Sequence, residues 1–304
     1  MIVFGCIISV LIIMAAYHHV RLALDKPTIK PAGELVEVDG CRMHIYAEGV
    51  GKTGGGPTLV LLAGSGVAAP VYDYKVLYSR LSGDYRVVVA EKFGYGYSDV
   101  CGAPRDVETM VEEIREALAK AGEAAPYVLM PHSMSALEAI YWAHTYPEEV
   151  QAVVGLDMAV PASYDKNRLS GITLMRIGVF LGLHRLEIFN PVSRRGVTKE
   201  EYRQNKLLND RNTLNADVYN ECRAVLKNAR RVSGMNIADV PMLMFTTNLG
   251  DSGRSKAWEA AQEGFAAKMS RCVQIKYHCG HNLHYYKSEE MAAAILDFLG
   301  SLRG

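Results

Sequence analysis

Five apolar runs, at residues 58–63, 85–90, 127–131, 150–157 and 241–247, with a last strand expected at 272–278, constrain this chain most. Strands buried on both faces read this way, and they belong in a parallel sheet covered by helices. Helix-period stretches separate them, at 71–81, at 106–121, after Ser133 and at 255–269, and a last one closes the chain at 289–302. Such alternation predicts an α/β fold, a mostly parallel central sheet with helices on both sides. Ahead of it, residues 35–48 alternate around Asp39-Gly40, the mark of a two-stranded hairpin, and a glycine-rich turn fills 49–57.

The rhythm breaks between 161 and 240, where helices are expected at 172–183, 199–208 and 215–231. This insertion follows the strand that closes at Asp157, on the sheet edge where open α/β folds bind ligands. The expected organisation is a core of 34–160 and 241–304 with a helical cap at 161–240. The apolar stretch 172–183 suits either a lipophilic substrate or the core of the cap.

Residues 2–17 carry no charge and are strongly apolar. With His18, His19 and Val20 the segment reaches the length that crosses a bilayer. A membrane anchor over 1–20 is expected, followed by a tether over 21–33 that contains Pro27, Pro31 and Gly33. A cleaved signal is the rival reading, but no small-x-small site follows the run. Arg21, Lys26 and Lys30 follow the segment and nothing basic precedes it, which leans toward a cytoplasmic domain.

With 33 basic and 33 acidic residues and no basic run, the chain offers nothing to nucleic acid. Its six cysteines show no C-x-x-C spacing, so ordinary buried thiols are expected, and no metal site or cofactor.

The chemistry centres on Tyr127-Val-Leu-Met-Pro-His-Ser-Met-Ser135. A serine at an abrupt strand-to-helix turn sits on a strained tip, its hydroxyl clear of the sheet, beside the free N–H groups of a helix start. Ser133 is the candidate nucleophile. His281, after Gly280 in the turn beyond the last strand, is the candidate base. His284 is a candidate pocket residue, and His132 reads as packing. Two acids are open, Asp157 at the end of its strand and Asp251 after the strand at 241–247. Backbone N–H groups of Ser65, beside Gly64 in the Gly64-Ser-Gly66 turn, and of Met134 are the candidate oxyanion donors.

In this order the motifs resemble the α/β-hydrolase superfamily, over nearly all of 35–302. Leu61-Leu-Ala-Gly-Ser65 is similar to the oxyanion strand and turn, with Ala63 where the family usually has His. Glu91-Lys-Phe-Gly-Tyr-Gly-Tyr-Ser-Asp99 resembles Asp-x-x-Gly-x-Gly-x-Ser-Asp, and Gly280-His281 takes the histidine position. Pro131-His-Ser-Met-Ser135 resembles a group of anchored bacterial hydrolases that carry it in place of Gly-His-Ser-Met-Gly. The resemblance implies an α/β-hydrolase fold and a serine hydrolase of ester, thioester or amide bonds on a small lipophilic substrate. A peptidase, an acyltransferase or a non-catalytic binding member are the alternatives. The superfamily's usual acid follows the strand after the cap, as Asp251 does. Its haloalkane dehalogenases place the acid where Asp157 stands, but their nucleophile is an aspartate, and Ser133 argues against that chemistry.

Overall fold

Strands β1 (Glu34–Val38) and β2 (Cys41–Gly49) meet at Asp39-Gly40, where both residues have positive φ, 50° and 76°. That is the handedness a two-residue hairpin turn requires. The computed structural model describes residues 2–50, 56–164, 171–248 and 253–302. Asp251 and the centre of the glycine-rich turn lie outside the described residues.

The apolar runs become β3 (Thr58–Leu62), β4 (Arg86–Glu91), β5 (Tyr127–Pro131), β6 (Val150–Leu156) and β7 (Met242–Thr247), and the last expected strand is β8 (Cys272–Tyr277). They form one sheet in the order β1-β2-β4-β3-β5-β6-β7-β8. The pairs β1/β2 and β2/β4 are antiparallel and all the others parallel. Every residue of β3, β5 and β7 is buried, as apolar runs without alternation require.

Helices α4 (Val107–Lys120), α5 (Ala136–Thr145) and α9 (Gly253–Ala266) pack on one face of the sheet. On the other lie α3 (Lys75–Leu81) and α10 (His284–Ser301). Trp142 of α5 is fully buried, edge-on to Tyr127 of β5, and its indole N–H donates to Glu149 at 2.8 Å. Between β6 and β7 come α6 (Ile172–Phe180), α7 (Lys199–Asn212) and α8 (Ala216–Val232). Thr198 and Glu201 form a reciprocal capping box on α7, and Asn215 caps α8, so these two begin at sharp local signals.

Four details differ from the sequence expectation. The helix expected at 71–81 is broken at Tyr74 into a short α2 (Pro70–Asp73) and α3. The closing helix starts five residues early, at His284, with a non-helical Lys287 between its first turn and its body. The stretch 172–183 forms no cap core, for α6 has no buried residue. Cys41 and Cys101 are disulfide-bonded rather than free, their Cα atoms 6.5 Å apart. Arg42 accounts for that approach, since its backbone N–H and its guanidinium both hold Asp99 at 3.0 Å, against the start of β2.

The N-terminal helix α1 spans Ile2–Asp25 and is long and apolar enough to cross a membrane. It runs five residues into the segment expected as a tether.

Candidate active site

Ser133 has φ = 53°, the left-handed conformation that a side-chain-bearing residue adopts only at a cost. It stands between β5 and a single 3-10 turn, Ser133–Ser135, that leads into α5. Pro131 is tolerated because it is the last residue of its strand, and the ladder resumes through the His132 N–H to the Leu62 carbonyl at 3.1 Å. Ser135, where a glycine is usual, has φ = −66° and needs no special freedom. Its buried hydroxyl is shared between the Leu62 and His132 carbonyls, at 2.8 and 2.9 Å. The serine thereby ties the two ends of the turn together, which glycine could not do.

Gly64 explains itself by contact. A Cβ there would sit 2.8 Å from both the Ser133 Cβ and the His132 carbonyl oxygen. No residue but glycine lets the turn after β3 approach the turn after β5 this closely.

Asp157 directly follows β6 with φ = 47° and is fully buried. His281 Nδ1 lies 2.6 Å from its Oδ2. Four more donors converge on the same carboxylate. The Thr247 N–H (3.0 Å) and hydroxyl (2.7 Å) come from β7, the Trp258 indole (3.1 Å) and the Gln262 amide (3.0 Å) from α9. Burial alone pushes this carboxyl upward, but the bond from His281 and those from Gln262 and Trp258 outweigh it. The net pKa lies below the ordinary value, so the group is an anion at neutral pH. Trp258 also packs edge-on against the His281 ring at 5.5 Å.

His132 joins the two turns. Its Nε2 donates to the His281 carbonyl at 3.3 Å, which leaves Nδ1 to accept from the Tyr74 hydroxyl at 3.1 Å. That hydroxyl in turn accepts from the Gly64 N–H at 3.4 Å. Burial, with His281 and His284 nearby, pushes the His132 pKa well below that of free imidazole, so the ring is neutral.

No protein-family model matches the chain. The uncharacterized protein YbdG of Bacillus subtilis (strain 168) is 32% identical over 301 residues, which cover 94% of this chain and 91% of YbdG. The chain belongs to the YbdG family. Among solved structures, Cfl2 of Burkholderia cenocepacia superposes with a TM-score of 0.67 at 20% identity, over 88% of this chain and 95% of that one. The Bacillus megaterium epoxide hydrolase superposes at 0.66 and 15% identity, over 88% of this chain and all of its own. These likenesses, with the strand order, make the fold of this YbdG-family protein that of the α/β-hydrolases.

The candidate residues of the sequence fall at one edge of that fold. Ser133, Asp157 and His281 follow β5, β6 and β8 at their carboxyl ends. His281 and Asp157 are in direct contact. Ser133 adjoins His132, whose ring centroid is 4.8 Å from that of His281, and among the described residues its hydroxyl makes no hydrogen bond. The backbone N–H groups of Ser65 and Met134 have no acceptor among the described residues. His284 does not face an opening; it is fully buried against Tyr74 and His132, with Nε2 3.2 Å from Asp73.

Sequence reasoning missed the supports. Trp258 and Gln262 are four residues apart on one helix face, a spacing that could have marked them as a pair. It also missed a buried ion cluster in the YbdG-family chain. The ammonium of Lys92, just after β4, contacts Glu138 of α5 at 2.7 Å and Glu221 of α8 at 2.5 Å, and Tyr95 donates to Glu221. Burial, and repulsion by Glu221, outweigh the pull of Lys92 on Glu138 and raise its pKa to about 7. Next to Glu221, the Cys222 thiol meets the Ser65 hydroxyl at 3.1 Å. Helix α8 thus rests on the turn after β3. Among the described residues no cluster of His, Cys, Asp and Glu could hold a metal ion.

Proposed function

We propose that this protein is a serine hydrolase of ester, thioester or amide bonds, acting through an acyl-enzyme on Ser133. The observation that carries the reading is the contact of His281 Nδ1 with Asp157 behind a serine held at positive φ. The bond to Asp157 keeps the proton on Nδ1 and leaves Nε2 to take the Ser133 proton as Oγ attacks the carbonyl. The tetrahedral oxyanion accepts from the Ser65 and Met134 N–H groups, each worth about 3 kcal/mol in the transition state. His281 then returns the proton to the leaving group, and water repeats the sequence to release the acid. Asp157, an anion with its other lone pairs already occupied, steadies the imidazolium without taking its proton.

The choice of Asp157 over Asp251 rests on the same contact. A serine in place of an aspartate nucleophile argues for acyl chemistry. Helices α6–α8, with α8 resting on the turn that bears Ser65, would roof the site and select the substrate, a small lipophilic molecule.

A fluorophosphonate probe tests the proposal. Labelling of the folded protein that disappears in Ser133→Ala supports it; folded protein that takes no label, or Ser133→Ala that labels as well as the parent, refutes it.

A further inference from the structure

Helix α6 is largely apolar and buries none of its residues. Its one charged residue, Arg176, stacks on the ring of Tyr219 of α8 at 4.2 Å, and the Thr173 hydroxyl lies 3.4 Å from the Tyr219 hydroxyl. Its apolar residues face away from the protein, with Leu174 72%, Met175 63% and Phe180 60% exposed. The turn that follows continues the patch, with Ile188 84% and Phe189 66% exposed. A largely apolar helix that buries none of its residues gains nothing from water, and exposed apolar patches of this kind mark an interaction surface.

The neighbour of this patch says what covers it. Helix α1 runs alongside, and its own Val3, Phe4, Ile12 and Ile13 are each more than 60% exposed. The two are locked together. The rings of His19 and Phe180 pack at 4.9 Å, those of His18 and His184 at 4.8 Å, and Arg185 donates to His18 at 2.8 Å. Gly182 has no room for a side chain, since a Cβ there would meet the His18 Cβ at 2.8 Å.

Length then fixes the depth. Crossing a hydrocarbon core of roughly 30 Å takes about 20 helical residues. Helix α1 has 24 residues, so any stretch of about 20 within it includes Met14, His18 and His19, the residues that touch the segment 180–184. The surface around Phe180 cannot stand off in water while α1 crosses. We infer that α6 and the turn through Phe189 are seated in the lipid bilayer beside α1, apolar side down, as a second membrane contact. The inference rests on the membrane reading of α1 and is independent of the proposed catalysis.

The test uses the full-length chain reconstituted in phosphatidylcholine–phosphatidylglycerol vesicles, with Phe189→Trp as reporter and Val273→Trp as control. Val273 lies on β8, away from α1, and is 53% exposed. Lipids brominated in the acyl chain should quench about half of the emission added by Phe189→Trp and leave that added by Val273→Trp unchanged, because interfacial helices lie about 5–10 Å deep. Emission from Phe189→Trp that aqueous iodide quenches as well as the control, in protein that floats with vesicles, overturns this inference and spares the anchor. Emission shielded from both quenchers overturns it in favour of a second protein copy. Protein that does not float with vesicles overturns both.

Discussion

Two buried carboxylates at the same sheet edge end up with opposite character. Asp157 and Glu138 are both almost wholly removed from water. Asp157 is held below the ordinary carboxylate value, while Glu138 is raised to about 7. Burial does not separate them, and partners do. Five donors converge on Asp157. Glu138 has one cation, Lys92, which it shares with Glu221, and its Oε2 has no partner among the described residues. One environment is built to hold a charge, the other to leave a proton in place until about neutral pH.

The largest break in this comparison comes from Asp157→Asn. With the anion gone, Nδ1 of His281 loses the acceptor that fixes its tautomer, and reaction of Ser133 with the fluorophosphonate should slow about 10⁴-fold. Stopped-flow or gel-based labelling with the fluorophosphonate measures it, alongside circular dichroism to confirm folding. If the rate is unchanged, the proton on His281 is held by something else.

Next in size is Lys92→Met. It strands two carboxyl groups in the interior, and denaturant unfolding should show a loss of about 3–5 kcal/mol at neutral pH. A smaller deficit at pH 5 is expected, where Glu138 is protonated in the fold. A loss below 1 kcal/mol would mean that the cluster is not closed to water.

Trp258→Phe removes one of the five donors and keeps an aromatic ring beside His281. The cost should be about 1.5–3 kcal/mol in unfolding experiments, the worth of a hydrogen bond to a charged group. The Asp157 carboxyl pKa should move upward, read by carbon NMR. The sign follows from linkage. A carboxyl whose folded pKa is depressed stabilises above its unfolded pKa and loses that effect as pH falls through the folded value. The variant should therefore differ most from the parent at neutral pH and least in acid.

Glu138→Gln is expected to matter least, within about 1 kcal/mol at pH 6, because it resembles the protonated form already present. Here the sign is reversed. A raised folded pKa means that the folded chain holds the extra proton, so stability falls as pH rises from the unfolded carboxyl value toward about 7. Above pH 7 the variant should be the more stable protein, and a parent-like pH profile in the variant would place that titration elsewhere.

Much of this was legible in the chain. The apolar runs gave β3 to β7 at nearly the expected bounds, because strands without alternation have one environment in which they are stable. Asp39-Gly40 fixed its hairpin through local dihedral preference, and Gly280-His281 stood out by following the last strand. What favours Asp157 as the proposed acid was not legible. It turns on donors from β7 and α9, which lie about a hundred residues away. The Lys92 cluster draws on three separate segments, and no local pattern marks it. Helix α6 was misread for a different reason, since periodicity reveals that a helix is apolar but not which side meets protein. The Cys41–Cys101 bond depends on how Arg42 gathers the Asp99 loop, a tertiary fact.

The contact at Gly64 has a consequence for how this site can change over evolutionary time. Its missing side chain sets the distance between the turn that bears Ser65 and the turn that bears Ser133, through van der Waals contact and not through an adjustable bond. Any single replacement at 64 displaces the elbow as well. Change at either turn must therefore be matched at the other, so the two are inherited as one part.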